Sequence, residues 1–331
     1  MSGPACTCWR DSVNEHQLVF GPIASRRLGR SLGINNVPSK TCTYSCIYCQ
    51  LGAAPPQIER AVFYPPERIA EAVKKRVEEV LEEGGQIDYL TFVPSGEPTL
   101  DAGLGPAIKE VGSCRIPVAV ITNGSLLWQR EVRRALYPAD WVSLKVDAVS
   151  ESCWRRLNRP HRRLDREQMG RGMKRFASRY GGTLATETML VAGVNDDRAE
   201  LSRIADAVAA LQPAASYLSV PLRPPAVSGV SPPSEETLTA AHQMFAQRGL
   251  AVEFLVQEEE QRLSRWGSAA QGVMGTVAVH PLREEEILHL LDGYGAGWQV
   301  MECLLQEGQV KKICYGGSTF YVKTLTGQRK N

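Results

Sequence analysis

Three cysteines stand close together in the chain: Cys42, Cys46 and Cys49, in the spacing C-x3-C-x2-C. Thiolates on one short stretch can converge on a single metal centre without long-range closure of the chain. Structural zinc usually takes four ligands, often two C-x2-C pairs, and a cubane [4Fe–4S] cluster normally takes four thiolates. Three cysteines leave one coordination position open to a small molecule, which is what a catalytic metal centre needs.

The other cysteines do not extend this group. There are nine in all, and residues 1–17 have neither the basic start nor the apolar stretch of a secretion signal, so no disulfide framework is expected. Cys6 and Cys8 supply half a metal site; we interpret them as a redox-inert pair, with metal binding or electron relay as the alternative. Four isolated cysteines are predicted to pack as small hydrophobic side chains: Cys114, Cys153, Cys303 and Cys314.

The composition is that of a globular protein. Of the 331 residues, 43% are hydrophobic and 22% are charged, and the formal net charge is +2. This balance argues against disorder, a strongly basic nucleic-acid coat and a strongly acidic solvating protein. No apolar run approaches the roughly 18 residues of a membrane-spanning helix, so no membrane association is expected.

Short strand-like runs alternate with helical segments along most of the chain. Leu32–Val37 leads into the cysteines, and Glu67–Glu83 follows with apolar residues at helical spacing. Further strand-like runs come at regular intervals: Tyr89–Val93, Pro117–Thr122, Trp141–Val146, Leu184–Val191, Tyr217–Val220 and a candidate last one, Ala251–Val256. The alternation predicts βα units in a parallel sheet, with about six repeats rather than the eight of a closed barrel. Ligand groups collect at the carboxyl ends of such strands.

Polar residues alternate along one of these strands. Ser143, Lys145 and Asp147 share a face because side chains repeat every two residues. That face must be the barrel interior if these residues are functional, since the outer face packs on helices and unpaired polar groups there are costly. The alternative is a salt bridge between Lys145 and Asp147 at the fringe of the barrel.

The cysteine spacing resembles that of the radical S-adenosylmethionine (radical SAM) enzymes. The resemblance implies that Cys42, Cys46 and Cys49 hold a [4Fe–4S] cluster and that the amino and carboxylate groups of SAM chelate the remaining iron. One electron then splits a C–S bond of SAM, leaving methionine and a 5′-deoxyadenosyl radical that abstracts hydrogen from a substrate. The implied fold is α/β, a partial (β/α)6 TIM-type barrel with the cysteine loop after its first strand.

The resemblance also implies which residues bind SAM. Glu97 would accept the amino group, Ser143 would reach the ribose and Lys145 the carboxylate, while Tyr48 would lie beside the adenine. The full set matches family motifs at strand ends and in the cysteine loop: Tyr48, Ser95, Gly96, Glu97, Asn123, Ser143 and Lys145. Taken alone, Ser95–Pro98 is typical of a turn before a helix, and Tyr48 could simply pack.

The lead-in over residues 20–40 and the sequence Cys49-Gln50-Leu51-Gly52 resemble a branch of Fe–S oxidoreductases grouped with wyosine-type tRNA-modifying synthases. The match covers about residues 20–225. Those synthases carry three further cysteines ahead of the motif, whereas this chain has only Cys6 and Cys8. The departure counts against the wyosine reaction itself.

The pattern of predicted helices and strands changes after the barrel. Helices over Glu284–Leu291 and Trp298–Leu305 and a hairpin of Val310–Tyr315 with Thr319–Lys323 suggest a small winged-helix-like module. Its helices are acidic and its basic residues gather at the hairpin and tail, so docking of a substrate or partner is favoured over DNA binding. The predicted organisation is a tail, the barrel, a linker, the module and a second tail, over residues 1–19, 20–257, 258–280, 281–323 and 324–331.

Three functions are consistent with the sequence. The first is a radical SAM enzyme that modifies a macromolecule, either RNA or a peptide or protein; the second is an activase that makes a glycyl radical on a partner enzyme. The third is a zinc-binding winged-helix regulator, which leaves the strand-end motifs unexplained. The first two imply a one-electron donor such as flavodoxin or ferredoxin and, because an open cluster is sensitive to oxygen, a reducing cytoplasm. A basic rim for anionic substrates is a further hypothesis, from His161 with Arg26, Arg27 and Arg30.

Overall fold

The computed structural model describes residues 18–93, 95–255, 268–279 and 281–324. Eight strands form one curled sheet in sequence order: β1 (Val19–Ser25), β2 (Gly29–Ile34), β3 (Tyr89–Phe92), β4 (Val118–Thr122), β5 (Trp141–Lys145), β6 (Thr183–Met189), β7 (Ala215–Ser219) and β8 (Val252–Leu255). Helices follow the strands: α1 (Pro66–Glu82), α2 (Leu104–Val111), α3 (Arg130–Leu136), α4 (Glu151–Asn158), α5 (Arg166–Ala177), α6 (Arg198–Ala209) and α7 (Glu235–Ala246). None of the described helices is long and apolar enough to cross a membrane.

Strands β2 to β8 are parallel, and the (β/α)6 partial barrel expected from the sequence is confirmed in β2–β7. The run Ala251–Val256 does supply one more strand, β8. The sequence did not suggest β1, which pairs antiparallel with β2 at the edge of the sheet. Its sequence contains Gly21 and Pro22, which interrupt a strand pattern and are tolerated at an edge.

Side chains alternate between the two faces of the barrel strands, so the sheet separates two apolar layers. Leu90, Val120 and Leu144 face outward into the large core between sheet and helices. A smaller cluster fills the barrel interior with large and small side chains in turn: Leu28, Ala119, Trp141, Ala185 and Tyr217. Positions on β5 that share the parity of Trp141 therefore face inward, as the sequence predicted for Ser143 and Lys145.

The turn between β1 and β2 enters the barrel from the amino end of the strands. Leu28 is 3% exposed within the interior cluster, and the Arg27 guanidinium bonds to the Glu187 carboxylate. Arg30 instead pairs with Asp88, at the start of β3, with 2.8 Å between Nη2 and Oδ1. The hypothesis that Arg27 and Arg30 belong to a rim with His161 is therefore wrong, because Arg30 pairs at the opposite end from the cysteine loop and Arg27 pairs inside the barrel.

The C-terminal unit has its own core and sheet. It comprises α8 (Ala269–Val279), β9 (Leu282–Arg283), α9 (Glu284–Gly293), α10 (Gln299–Gln306), β10 (Val310–Tyr315) and β11 (Ser318–Lys323), with strand order β10-β11-β9. The helix α8 falls in the segment 258–280 that was predicted as a linker. Val273 and Val277 are buried in the core of the unit, so α8 packs as part of the unit. Residues 1–17, which include Cys6 and Cys8, and residues 256–267 and 325–331 lie outside the described residues.

Candidate active site

The cysteine loop follows β2 at the carboxyl ends of the strands and is held by main-chain hydrogen bonds from three sides. Glu97 N donates to Thr41 O at 2.8 Å, and His161 N donates to Thr43 O at 2.9 Å. Ile47 N donates to Leu157 O at 2.9 Å, and Ile47 O accepts from Val227 N at 3.1 Å. The loop has no regular secondary structure of its own, so these neighbours fix its shape.

Gly96 permits one of these contacts. A Cβ atom at this position would lie 2.2 Å from the Thr41 carbonyl oxygen, which is main chain and cannot turn away. The glycine of the Ser95-Gly96-Glu97 turn therefore allows the turn to pack directly on the cysteine loop. Ser95 joins the same contact, since its carbonyl accepts from Lys40 N at 2.5 Å.

The three cysteines are partly buried. Burial, with a further contribution from Glu97 and Cys46, raises the pKa of Cys42 well above its ordinary value. Burial and the nearby Asp147 raise the pKa of Cys46 to about 12, and burial raises that of Cys49. No three His, Cys, Asp or Glu side chains in the described part of the chain are already gathered as a metal site. Metal binding here would release the thiol protons and draw the three sulfurs together.

Glu97 joins the turn after β3 to the end of β4. Its Oε1 accepts from Thr99 N at 3.0 Å and from the hydroxyls of Thr99 and Thr122 at 2.5 Å each, and its Oε2 accepts from Asn123 N at 2.8 Å. The residue is only 2% exposed, and burial raises its pKa although the hydrogen bonds oppose the shift. Because Oε2 has a single donor among the residues that the structure describes, it can still accept from a ligand.

Asn123 extends from the end of β4 toward the cysteine loop. Its Nδ2 donates to Thr43 Oγ1 at 2.8 Å and lies 3.7 Å from Cys42 Sγ. Its Oδ1 accepts from Ser125 N at 2.9 Å. The structure thus brings Glu97 and Asn123 together with Cys42, as expected from the placement of both motifs at strand ends.

Ser143 and Lys145 lie inside the barrel. Ser143 is fully buried and its hydroxyl has no hydrogen-bond partner among the described residues. Lys145 Nζ lies 3.1 Å from Glu187 Oε1, 3.9 Å from Asp147 Oδ1 and 5.2 Å from the centre of the Tyr48 ring. Although burial lowers the pKa of Lys145, the two carboxylates outweigh it and raise the pKa to about 12. The predicted Lys145–Asp147 contact is present, but the shorter ion pair is with Glu187.

The Asp147 carboxylate, just beyond the end of β5, accepts several hydrogen bonds. Its Oδ2 accepts from the Tyr48 hydroxyl and from Asn158 Nδ2, the latter at 3.0 Å, and its Oδ1 accepts from Met189 N at 2.9 Å. Tyr48 is thereby anchored through its hydroxyl between the cysteine loop and the barrel wall. All seven residues predicted to bind SAM line the cysteine loop, the adjoining strand ends or the barrel interior.

Two polar residues of the site were not predicted from the sequence. Glu187, on β6, accepts from Lys145, Arg27 and the Ser219 hydroxyl. Asn158, at the end of α4, lies 3.4 Å from Cys46 Sγ through Nδ2. No sequence pattern marks it, because its position depends on how α4 packs on the cysteine loop.

The chain matches the family model of the radical SAM superfamily over residues 36–204. It belongs to that superfamily and is an enzyme of the radical SAM class. We therefore set aside the alternative function considered from the sequence, a zinc-binding regulator. The three cysteines that the class requires are present.

Relatives span nearly the whole chain. The "UPF0026 protein MJ1312" of Methanocaldococcus jannaschii is 37% identical over 317 residues, which cover 95% of this chain and 98% of that protein. A "UPF0026 protein" of Helicobacter pylori is 30% identical over 307 residues, which cover 92% of this chain and 97% of that protein. The chain is thus similar in length and extent to these proteins.

The barrel is also similar to a solved structure. A radical SAM methyltransferase from Sphaerobacter thermophilus superposes with a TM-score of 0.51 and 16% identity, over 69% of this chain and 67% of that one. At this identity the likeness confirms the fold, a partial barrel of the TIM type, and carries no information on the substrate.

Proposed function

We propose that the protein holds a [4Fe–4S] cluster on Cys42, Cys46 and Cys49, cleaves SAM reductively and abstracts a hydrogen atom from a macromolecular substrate. The observation that carries the proposal is the cysteine loop, bonded on one side to the Glu97 turn and on the other to α4. The donor set suits an iron–sulfur cluster with one open iron, since three thiols share a loop and no fourth cysteine of the described chain stands with them.

When bound, the cluster and SAM would supply the 5′-deoxyadenosyl radical, with one electron from a flavodoxin- or ferredoxin-type donor. The chain's own residues would bind and orient SAM. Glu97 Oε2 is an acceptor for the amino group, and Lys145 is a cation for the carboxylate. The unpartnered Ser143 hydroxyl fits a role at the ribose because a buried hydroxyl needs a partner. Tyr48 presents a ring held by Asp147, suited to stacking on the adenine.

The C-terminal unit supports a macromolecular substrate. Tyr315 of β10 donates to the carbonyl oxygens of Pro221 at 3.0 Å and Val230 at 3.2 Å. The segment 221–230 that Tyr315 contacts also contacts the cysteine loop, where Val227 N donates to Ile47 O at 3.1 Å. The unit therefore lies against the loops at the carboxyl ends of the strands, where a bulky RNA or peptide would approach.

The same unit is interpreted as a winged-helix-like docking module. A helix, a short strand, two helices and a hairpin follow in that order, which supports the interpretation. Its first-turn acidic residues Glu284, Glu285 and Glu286 oppose a phosphate-binding helix. Lys311 and Lys312 lie on the hairpin instead, so the hairpin is the surface suited to an anionic partner.

The experiment that tests this function begins with anaerobic reconstitution of the full chain and an assay for iron and sulfide. About four irons per chain are expected, with an EPR signal that changes when SAM is added. Cys46→Ala should lose the cluster, whereas the matched control Cys114→Ala, on an isolated cysteine, should keep it. Stoichiometric zinc without iron would refute the proposal.

The substrate class requires a second comparison. Modified nucleosides and modified peptides from a deletion strain and its parent should differ in one of the two pools. A lost RNA modification or a lost peptide modification would each support macromolecule modification and identify the class. A strain with both pools unchanged but without a glycyl radical on a partner enzyme would instead support the activase alternative.

A further inference from the structure

Asn158 contacts both the cysteine loop and the wall of the barrel. It is 2% exposed, and its Nδ2 lies 3.4 Å from Cys46 Sγ and 3.0 Å from Asp147 Oδ2. Its main-chain carbonyl accepts from Ser45 N at 3.0 Å. One side-chain amide therefore has two acceptors, a sulfur and a carboxylate, and it has two hydrogens to give them.

The orientation of this amide follows from its surroundings. Asp147 Oδ2 also accepts from the Tyr48 hydroxyl, so the atom of Asn158 that faces it must be a donor. The amide nitrogen, and not the oxygen, is therefore the atom at Cys46. Rotation of the side chain is blocked, because turning the amide over would place its oxygen against the carboxylate.

We propose that Asn158 is a positioning residue that donates an N–H···S hydrogen bond to the cluster ligand Cys46 and thereby raises the reduction potential of the cluster. The inference rests on the proposed function, since it assigns a residue to that same metal centre. Hydrogen bonds to ligating sulfur are among the factors that set the potential of iron–sulfur clusters. A donor withdraws negative charge from the thiolate, and this favours the reduced cluster, which carries one more negative charge.

The chain contains a matched residue with a purely structural role. Asn195 is likewise fully buried, but its Nδ2 donates to the carbonyl oxygens of Asp147 at 2.8 Å and Met189 at 2.7 Å. Within the described part of the chain, its side-chain hydrogen bonds are all to main-chain groups and none is to a sulfur. Removing either asparagine costs buried hydrogen bonds, and only the removal of Asn158 takes a donor from a cluster ligand.

The test compares Asn158→Leu and Asn195→Leu in the reconstituted full-length protein by a potentiometric titration followed by EPR. Asn158→Leu should shift the midpoint to lower potential, so that the fraction of cluster reduced at the wild-type midpoint falls several-fold. Asn195→Leu should leave the midpoint unchanged even if it lowers the melting temperature. An unchanged midpoint in Asn158→Leu, or an equal shift in both variants, would overturn the inference.

A second variant keeps the inference testable if Asn158→Leu folds poorly. Asn158→Ala removes the N–H donor without adding a charge beside Asp147, and it should move the midpoint in the same direction. If neither variant shifts the potential while the wild type holds about four irons and responds to SAM, this inference fails and the proposed function stands. A wild type without iron would instead refute the proposed function itself.

Discussion

Among single residues, Glu187 connects the two cations of the barrel interior. Arg27 arrives from the turn at the amino end and Lys145 from β5, and both bond to its carboxylate. Ser219 Oγ donates to Oε1 as well, at 3.0 Å. Removing a buried carboxylate that is shared by two cations weakens the charge compensation of both.

We expect Glu187→Gln to lower the free energy of unfolding by about 3 kcal/mol, because Arg27 would lose its carboxylate and Lys145 would keep only the longer contact with Asp147. Urea denaturation followed by circular dichroism measures the loss. The control is Glu59→Gln, which removes an exposed ion pair with Arg163 and should change stability little. Equal effects of the two substitutions would contradict the buried network.

The same carboxylate predicts a pH dependence. Burial would raise the pKa of Glu187, but Lys145 and Arg27 outweigh it and hold the pKa well below its ordinary value of 4.5. Its stabilising contribution is therefore complete above the ordinary pKa and is lost as the pH falls toward the lowered one. The unfolding free energy of the wild type should approach that of Glu187→Gln below about pH 4. A difference that stays constant down to pH 3 would contradict this assignment.

At the scale of elements, the cysteine loop takes its shape from the β3 turn and from α4. Gly96→Ala should displace the loop, because the new Cβ would meet the Thr41 carbonyl. We expect a loss of most of the iron bound after reconstitution. Gly170→Ala is the control, since a Cβ on that residue of α5 meets nothing within 4 Å, and full iron content in Gly96→Ala would contradict the packing.

Helix α4 depends on a carboxylate from α6. Glu200 Oε1 accepts from Val149 N at 2.6 Å and Ser150 N at 2.8 Å, at the start of α4. Glu200→Ala should destabilise the protein by about 2 kcal/mol because two part-buried N–H groups lose their charged acceptor. Asp165→Ala, which removes an exposed cap on α5, should cost about 1 kcal/mol. A smaller loss for Glu200→Ala than for Asp165→Ala in urea denaturation would argue against this anchor.

At the scale of the whole molecule, an ion pair links the C-terminal unit to the barrel. Arg223 Nη2 lies 2.9 Å from Glu286 Oε1, and their side chains are 8% and 14% exposed. Arg223→Met should leave the buried Glu286 carboxylate without its cation, with only the Arg283 main-chain N–H as a donor among the described residues, and loosen the unit, with faster hydrogen exchange in β10 and β11. Arg30→Met, which breaks the exposed pair with Asp88, should leave exchange there unchanged; equal exchange in both variants would contradict the docking.

The sequence predicted the parts of the molecule that local patterns specify. Local sequence patterns were enough to predict the six βα units, the inward face of Ser143 and Lys145, and the grouping of the three cysteines. Other contacts depend on how distant segments pack against each other. Arg27 reaches Glu187, and Asn158 reaches Cys46, across more than 100 residues of sequence. The partner of Lys145 likewise lies on another strand. Strand β1 and helix α8 were missed because a Gly-Pro pair and a small-residue composition hide their periodicity.

The central claim is that Cys42, Cys46 and Cys49 hold the centre at which SAM is cleaved. The most direct measurement is release of 5′-deoxyadenosine from SAM by the reconstituted protein under a strong reductant and without oxygen. The wild type and Cys114→Ala should release it, and Cys46→Ala should release none. Equal release by Cys46→Ala, or none by a wild type loaded with iron and sulfide, would contradict the assignment.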